Sequence, residues 1–271
     1  MKMGRSAHAM RRRLLRYSRH MVLLPAALAA VALQPTVAVV DTGANLRVPA
    51  IAAKHPAVYD VRSRTHDVRD ANGHGTHVAT IVARESGDAR LMIVRAGSSS
   101  GAFSDRNEAA AIRYAVDHGA TIVNLSLGGP RTSAVERSAI RYAAERGALV
   151  VAAAGDDYAS RPEYPAALLG EDGLAVAAVL RDGARAPFSN TGSWVSLAAP
   201  GAQGTSFAAP LVSAAAARVW AANPLLTARQ VVGVLKETAS GRGIRTNRLG
   251  FGVVDVRAAV ARAEAVPAPG T

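Results

Sequence analysis

The sequence contains no cysteine. Disulfides, thiolate zinc sites and cysteine nucleophiles are therefore excluded. Aromatic residues make up only 4% of the chain, whereas Ala, Gly and Val are abundant. Small side chains at this density suit helices packed closely on a sheet better than an aromatic-rich binding surface. Acidic residues are missing from the first 20 positions, where Lys2, Arg5, Arg11, Arg12, Arg13, Arg16 and Arg19 supply seven of the +12 net charge. The other 251 residues carry only +5. Their basic residues lack aromatic interleaving, RNP-type runs and zinc-ligand spacing, so no nucleic-acid partner is expected.

Long hydrophobic runs are also missing. The longest near the start, residues 21–33 (MVLLPAALAAVAL), falls short of the ~20 residues of a spanning helix. It follows the basic stretch and carries two small-x-small signals, Ala27-Leu28-Ala29 and Ala30-Val31-Ala32. This reads as a signal peptide, with Arg11-Arg12 and Leu14-Leu15 giving a weak twin-arginine pattern. The alternative is a packed N-terminal helix of a cytoplasmic protein. The expected organisation is a signal or apolar segment over 1–33, one domain over 34–266 and a disordered tail over 267–271. A secreted or cell-envelope monomer follows, with no lasting membrane association unless the N-terminal segment stays uncleaved.

From residue 37 the chain alternates short apolar runs with helical patterns. Val37–Val40, Leu91–Val94, Thr121–Leu125, Ala148–Ala152 and Leu174–Val179 are continuous apolar runs of the kind that strands buried on both faces require. Between them, Ser133-x-x-Glu136 is a capping box ahead of a helix that Gly147 ends, and 107–118 stops before Gly119. Residues 206–221 form an Ala-rich helix and Ala259–Ala265 lies in a last one. Alternating β and α units predict an α/β fold of three layers, with a mostly parallel central sheet flanked by helices. In such sheets active groups gather at the carboxyl ends of strands, and Asp41 ends the first run.

Three segments carry the chemistry: Val37-Ala-Val-Val-Asp41-Thr-Gly43, His74-Gly-Thr-His-Val-Ala79 and Gly204-Thr-Ser-Phe-Ala-Ala-Pro210. A serine nucleophile needs an imidazole to take its proton and a carboxylate to fix that imidazole. All seven histidines precede Ser206. An α/β-hydrolase needs its histidine after the nucleophile, and Gly204-Thr-Ser-Phe-Ala208 lacks the closing glycine of a nucleophile elbow, so that class is excluded. The order Asp, His, Ser remains. His74 and His77 lie three apart, but without H-E-x-x-H or a further ligand at useful spacing no metal site is expected. His118, at a helix end, reads as a surface residue. Ser206 also reads as a helix start, where its own N–H would face an oxyanion.

These segments resemble the Asp, His and Ser motifs of the subtilisin-like (subtilase) family of serine peptidases. Further stretches agree from about Val37 to Ala265. Asn124-Leu-Ser-Leu-Gly-Gly129 resembles the strand that pairs with peptide substrate, and Ala152-Ala-Ala-Gly155 resembles a wall of the specificity pocket. Phe188-Ser-Asn-Thr-Gly192, Ala199-Pro-Gly201 and Gly250-Phe-Gly-Val-Val-Asp255 also match family landmarks. The resemblance implies a serine endopeptidase with Asp41, His74 and Ser206 as triad, His77 in a supporting or packing role, and polypeptide substrates. Ser126, Leu127 and Gly128 would pair with substrate, and Ala152, Ala153, Ala154 and Gly155 would line an open, apolar first pocket. No cofactor is required for this chemistry; structural calcium is possible but leaves no readable ligand pattern.

Three departures stand against the family pattern. Asp156 occupies the position where relatives carry an oxyanion-donating Asn, so it is the candidate oxyanion residue and an expected brake on rate. Only Ala202 and Gln203 separate Ala199-Pro-Gly201 from Gly204, where relatives place a hairpin, and the stretch between Val82 and Leu91 is short. Fewer than ten residues lie between the cleavage signals and Val37. The last point implies either folding without a propeptide or a chain incomplete at its start. The alternative function these departures suggest is an impaired relative that binds extended peptides without cutting them.

Overall fold

Alternate side chains of each strand fall into two separate cores, which is why the strands read as unbroken apolar runs. In β1 (Thr36–Asp41), Val37 and Val39 join one cluster and Ala38 and Val40 the other. The computed structural model describes residues 34–267. The signal-peptide reading and residues 268–271 of the expected tail lie outside them.

Six more strands follow β1: β2 (Ala57–Asp60), β3 (Arg90–Arg95), β4 (Ile122–Leu125), β5 (Leu149–Ala153), β6 (Gly173–Val179) and β7 (Leu197–Pro200). They form one sheet in the order β2-β3-β1-β4-β5-β6-β7, and every pairing is parallel. The expected sheet was mostly parallel; the described one is wholly so. Its two edges, β2 and β7, are the strands the apolar runs did not mark. The chain leaves β1 in one direction and later crosses to β4 on its other side. That reversal opens a crevice at the carboxyl ends of β1 and β4.

The described helices are α1 (Pro49–Ala52), α2 (His74–Glu85), α3 (Asp105–Asp117), α4 (Ala134–Glu145), α5 (Thr205–Ala222), α6 (Ala228–Thr238) and α7 (Val256–Glu264). Val78, Val82, Val212, Val231 and Ala259 place α2, α5, α6 and α7 on one core. Ile112 and Ile140 place α3 and α4 on the other. Ser133 accepts from the Glu136 N–H as the N-cap of α4, and Gly147, at φ 73°, follows its C-cap Arg146. Helix α6 has a full capping box from Thr227 and Gln230. Helix α5 runs against five strands and is buried nearly all round, hence its alanines. Among the described residues, no helix is long and apolar enough to cross a membrane.

Candidate active site

The site begins where β1 ends. Asp41 is completely buried, and its Oδ1 accepts both the Thr42 N–H at 2.7 Å and the His74 Nδ1 at 2.8 Å. His74 is the first residue of α2, which must therefore lie close upon the end of β1. Gly75 allows this approach: a Cβ there would collide with the Gly43 carbonyl and come within 3.1 Å of Asp41 Cβ.

Asp70, which sequence reasoning passed over, organises this corner. Its Oδ1 accepts from Thr42 Oγ1 at 2.9 Å and the Gly73 N–H at 2.9 Å, and its Oδ2 accepts from the Thr76 N–H at 2.8 Å and Oγ1 at 2.6 Å. Thr42 Oγ1 in turn accepts from the Gly75 N–H at 3.0 Å. One carboxylate thus ties β1 to the first turn of α2, where it also complements the helix dipole. Asp70 lies four residues before His74 and six before Thr76, outside the spacing of a helix-capping box, so no sequence pattern marks it.

The charges act on one another. Burial pushes Asp41 above the ordinary carboxylate range; the His74 bond and charge and the Thr42 N–H oppose it, and Asp70 adds to the rise. Burial alone pulls His74 down. The Asp41 bond and charge outweigh it, with Asp70 and Asp156 adding, so the imidazole stands above its ordinary 6.5. Asp70 is pulled up by burial, but bonds from Thr76, Gly73 and Thr42 prevail and hold it below the ordinary range.

Ser206 is the second residue of α5, behind a tight turn in which the Gly204 N–H donates to the Gly201 carbonyl at 3.0 Å. The short connection from β7 therefore closes directly onto the helix. Ser206 Oγ donates to the Ser126 carbonyl at 3.2 Å, and among the described residues no hydrogen bond joins it to His74. Phe207 packs beside both histidines, its ring centroid 5.7 Å from His74 and 5.6 Å from His77. His77 is exposed and touches the site only through that ring. His118, bonded to the Tyr114 carbonyl at 2.7 Å, is a surface residue as expected.

Pro210 sits inside α5 and has no N–H to give the Ser206 carbonyl four residues back. Ser126 Oγ fills that role at 2.7 Å. Ser126 also accepts from Asn124 Nδ2 at 3.0 Å, and Asn124 Oδ1 accepts from Ser213 Oγ at 2.9 Å. This wholly buried chain locks the end of β4 to α5. Asn124 was visible in the sequence as the polar residue inside an apolar run.

Beyond the paired ends of β4 and β5, Ser126-Leu127-Gly128 and Ala152-Ala153-Ala154-Gly155 form two neighbouring walls. A cavity of about 230 Å³ runs beside the first, bounded by His74, Phe103, Ser126 and Gly128. The second approaches Ser206 through the Gly155 N–H, which donates to Thr205 Oγ1 at 3.1 Å. Asp156 is exposed and uses Oδ1 as an acceptor for the Thr205 N–H at 2.9 Å, capping α5 one residue before Ser206. The space between the walls is not the open, apolar pocket expected. The Glu163 side chain lies there, packed against both Gly128 and Gly155. Among the described residues, no group of three or more His, Cys, Asp or Glu side chains is placed to hold a metal ion.

Known proteins share this arrangement. The family model described as the subtilase family matches residues 34–252. A thermophilic serine proteinase of Bacillus sp. (strain AK1) is 35% identical over 205 residues, which cover 67% of this chain and 51% of that protein. Subtilisin Savinase of Lederbergia lenta is 35% identical over 214 residues, 70% of this chain and 78% of its own. The chain spans about half the length of several curated relatives it matches. The crystal structure of a cold-adapted subtilisin-like serine proteinase superposes with a TM-score of 0.71 at 31% identity, covering 81% of this chain and 86% of the other. With the parallel sheet, the Asp41–His74 pair at its switch point and the serine at the head of the buried helix, these matches leave one assignment: the chain belongs to the subtilase family.

Proposed function

We propose that the protein is a serine endopeptidase in which Asp41, His74 and Ser206 act as a triad. The observation that carries this reading is the 2.8 Å bond from His74 Nδ1 to a fully buried Asp41, at the carboxyl end of β1 and facing the head of α5. Holding Nδ1–H on the carboxylate leaves Nε2 as the base. Ser206 Oγ turns from the Ser126 carbonyl to Nε2 when an extended peptide pairs with Ser126–Gly128. As Oγ attacks the peptide carbonyl carbon, its proton passes to Nε2. The Ser206 N–H, in the first turn of α5 where helix amides lack intrahelical partners, donates to the oxyanion. His74 then protonates the departing amine, leaving an ester on Ser206. Water, deprotonated by His74, hydrolyses that ester and restores the hydroxyl.

Asp156 weakens the oxyanion site. Its carboxylate already accepts from α5, and as an anion it opposes the charge that develops beside Ser206. The proposed enzyme is therefore slower than one with a neutral amide donor at this position. Export is part of the proposal, on the strength of the basic and apolar N-terminal sequence, and the mass of the mature protein from culture medium checks it. The triad is tested by labelling with a fluorophosphonate probe. The folded protein should take up one label and Ser206→Ala none. A folded wild type without label overturns the enzymatic reading, and label surviving in Ser206→Ala overturns the choice of nucleophile.

A further inference from the structure

Glu163 is 94% buried, since only 6% of its surface is exposed, yet among the described residues no cation pairs with it. Arg161, the nearest in sequence, is an exposed side chain paired with Asp157 at 3.7 Å. Glu163 Oε2 is buried and, among the described residues, accepts no hydrogen bond. Leaving a carboxyl in this condition is unfavourable unless something arrives to satisfy it. Burial pushes it up to about 7; Asp157 and Asp156 add to the rise and Arg161 opposes it.

Its position explains what could arrive. The backbone N–H and carbonyl of Tyr164 both bond Gly129, each at 2.9 Å, which fixes Glu163 at the mouth of β4. A Cβ on Gly128 would lie 2.9 Å from Glu163 Oε1, and one on Gly155 would lie 2.9 Å from its Cγ. The carboxyl therefore sits between the two glycine walls and forms the floor of the slot they enclose. That slot is adjacent to Ser206, because Ser126 bonds the Ser206 backbone and Gly155 bonds Thr205. On the proposed function above, on which this inference rests, the side chain preceding the cut bond enters here. Asn190 Nδ2, also buried without a partner, borders Gly155 but is a donor and offers a cation nothing.

We propose that Glu163 is the specificity-determining residue of this peptidase and selects substrates with lysine or arginine immediately before the cleaved bond. A cationic end group at the floor satisfies the orphaned oxygen, and its aliphatic stem runs between Gly128 and Gly155 along Ala152–Ala154. An apolar side chain of similar length leaves the carboxyl buried and unpaired, and a site built around a polar group rejects partners that cannot pair with it.

The test compares matched peptides that differ only at that position: Lys, Arg, Leu or Ala. Wild type should cleave the Lys and Arg peptides with kcat/KM at least about tenfold above Leu. Glu163→Gln keeps the shape, removes the charge, and should bring the ratio to one or below. Glu163→Ala should favour Leu outright. A wild type that prefers Leu or Ala, or a Lys preference that survives in Glu163→Gln, overturns the proposal. A parallel titration of the same peptides into folded Ser206→Ala separates specificity from turnover. Tighter binding of Lys than Leu there supports the role of Glu163 even if the fluorophosphonate label fails. Equal binding overturns it even if the label succeeds.

Discussion

The two halves of the site are built on opposite plans. Around Asp41 and His74 most polar atoms are committed: Asp70 alone gathers Thr42, Gly73 and Thr76, and Asp41 Oδ1 holds two donors, although the buried Asp41 Oδ2 has no partner among the described residues. Around Ser206, groups are left waiting. The serine hydroxyl rests on a carbonyl rather than on its base, and Glu163 Oε2 and Asn190 Nδ2 have no partner among the described residues. The first half needs its charges in place before substrate arrives, since an imidazole in the wrong tautomer is no base. On the proposed function the second half must stay unsatisfied, because the substrate supplies the missing partners. Bond density therefore separates what is preorganised from what recognises.

Breaking the committed half should give the largest effect. Asp41→Asn leaves the shape but removes the negative charge that holds His74 in its productive tautomer, and kcat should fall by about 10⁴. Steady-state hydrolysis of a peptide substrate checks this, with folding verified by circular dichroism. Next comes the boundary between the halves. Asp156→Asn keeps an oxygen for the Thr205 N–H and replaces its charged neighbour with a donor; kcat should rise by about 10- to 100-fold. An unchanged or lower rate would sink this account of the oxyanion site.

Asp70→Asn sharpens the comparison by weakening the network without touching substrate. Loss of charge-assisted bonds should cost about 1–3 kcal/mol, measurable as a lower midpoint in urea. It should also move the pH profile. Only neutral His74 accepts a proton, so kcat/KM climbs as pH rises through its pKa, which stands above 6.5. Asp70 is one of the charges raising it, so the variant's limb should lie at lower pH, an effect that a purely structural role would not produce.

What the sequence made legible follows the same division. The apolar runs marked β1, β3, β4, β5 and β6 because both faces of each are buried. The edge strands were hidden: β2, with Ala57 exposed and Val58 and Tyr59 half-buried, has no continuous run, and β7 is four residues ending in Pro200. Helix α6 was missed although Thr227 and Gln230 spell its cap. Order and motif alone made Asp41, His74 and Ser206 the candidates, and the structure brings Asp41 and His74 into contact. Glu163 was not, because it sits in an irregular stretch with no periodicity and its partners are two glycines from other segments. Asp156 was noticed for its identity, but its bond to Thr205 depends on the approach of two segments far apart in the chain.

The smallest expected effect asks whether an orphaned carboxyl always marks a site. Glu108 on α3 is also buried without a partner for Oε1 and is raised to about 8, first by burial, then by Glu136 and Asp105. It lies under the opposite helix layer and faces no substrate. A carboxyl raised above its ordinary 4.5 favours the fold fully at low pH, and that contribution is lost as pH rises toward 8. Glu108→Gln should therefore raise Tm by about 2–4 °C at pH 9 and little at pH 4, by calorimetry. Its specificity should match wild type, in contrast to Glu163→Gln.

Pro210 has a consequence for motion. Because it cannot donate, the backbone of Ser206 is fastened to Ser126, and through Asn124 and Ser213 the fastening closes on α5 again. The proposed peptide ledge and the proposed nucleophile are thus one rigid part. A substrate that shifts the ledge carries the hydroxyl with it, so alignment between the two survives thermal movement of either.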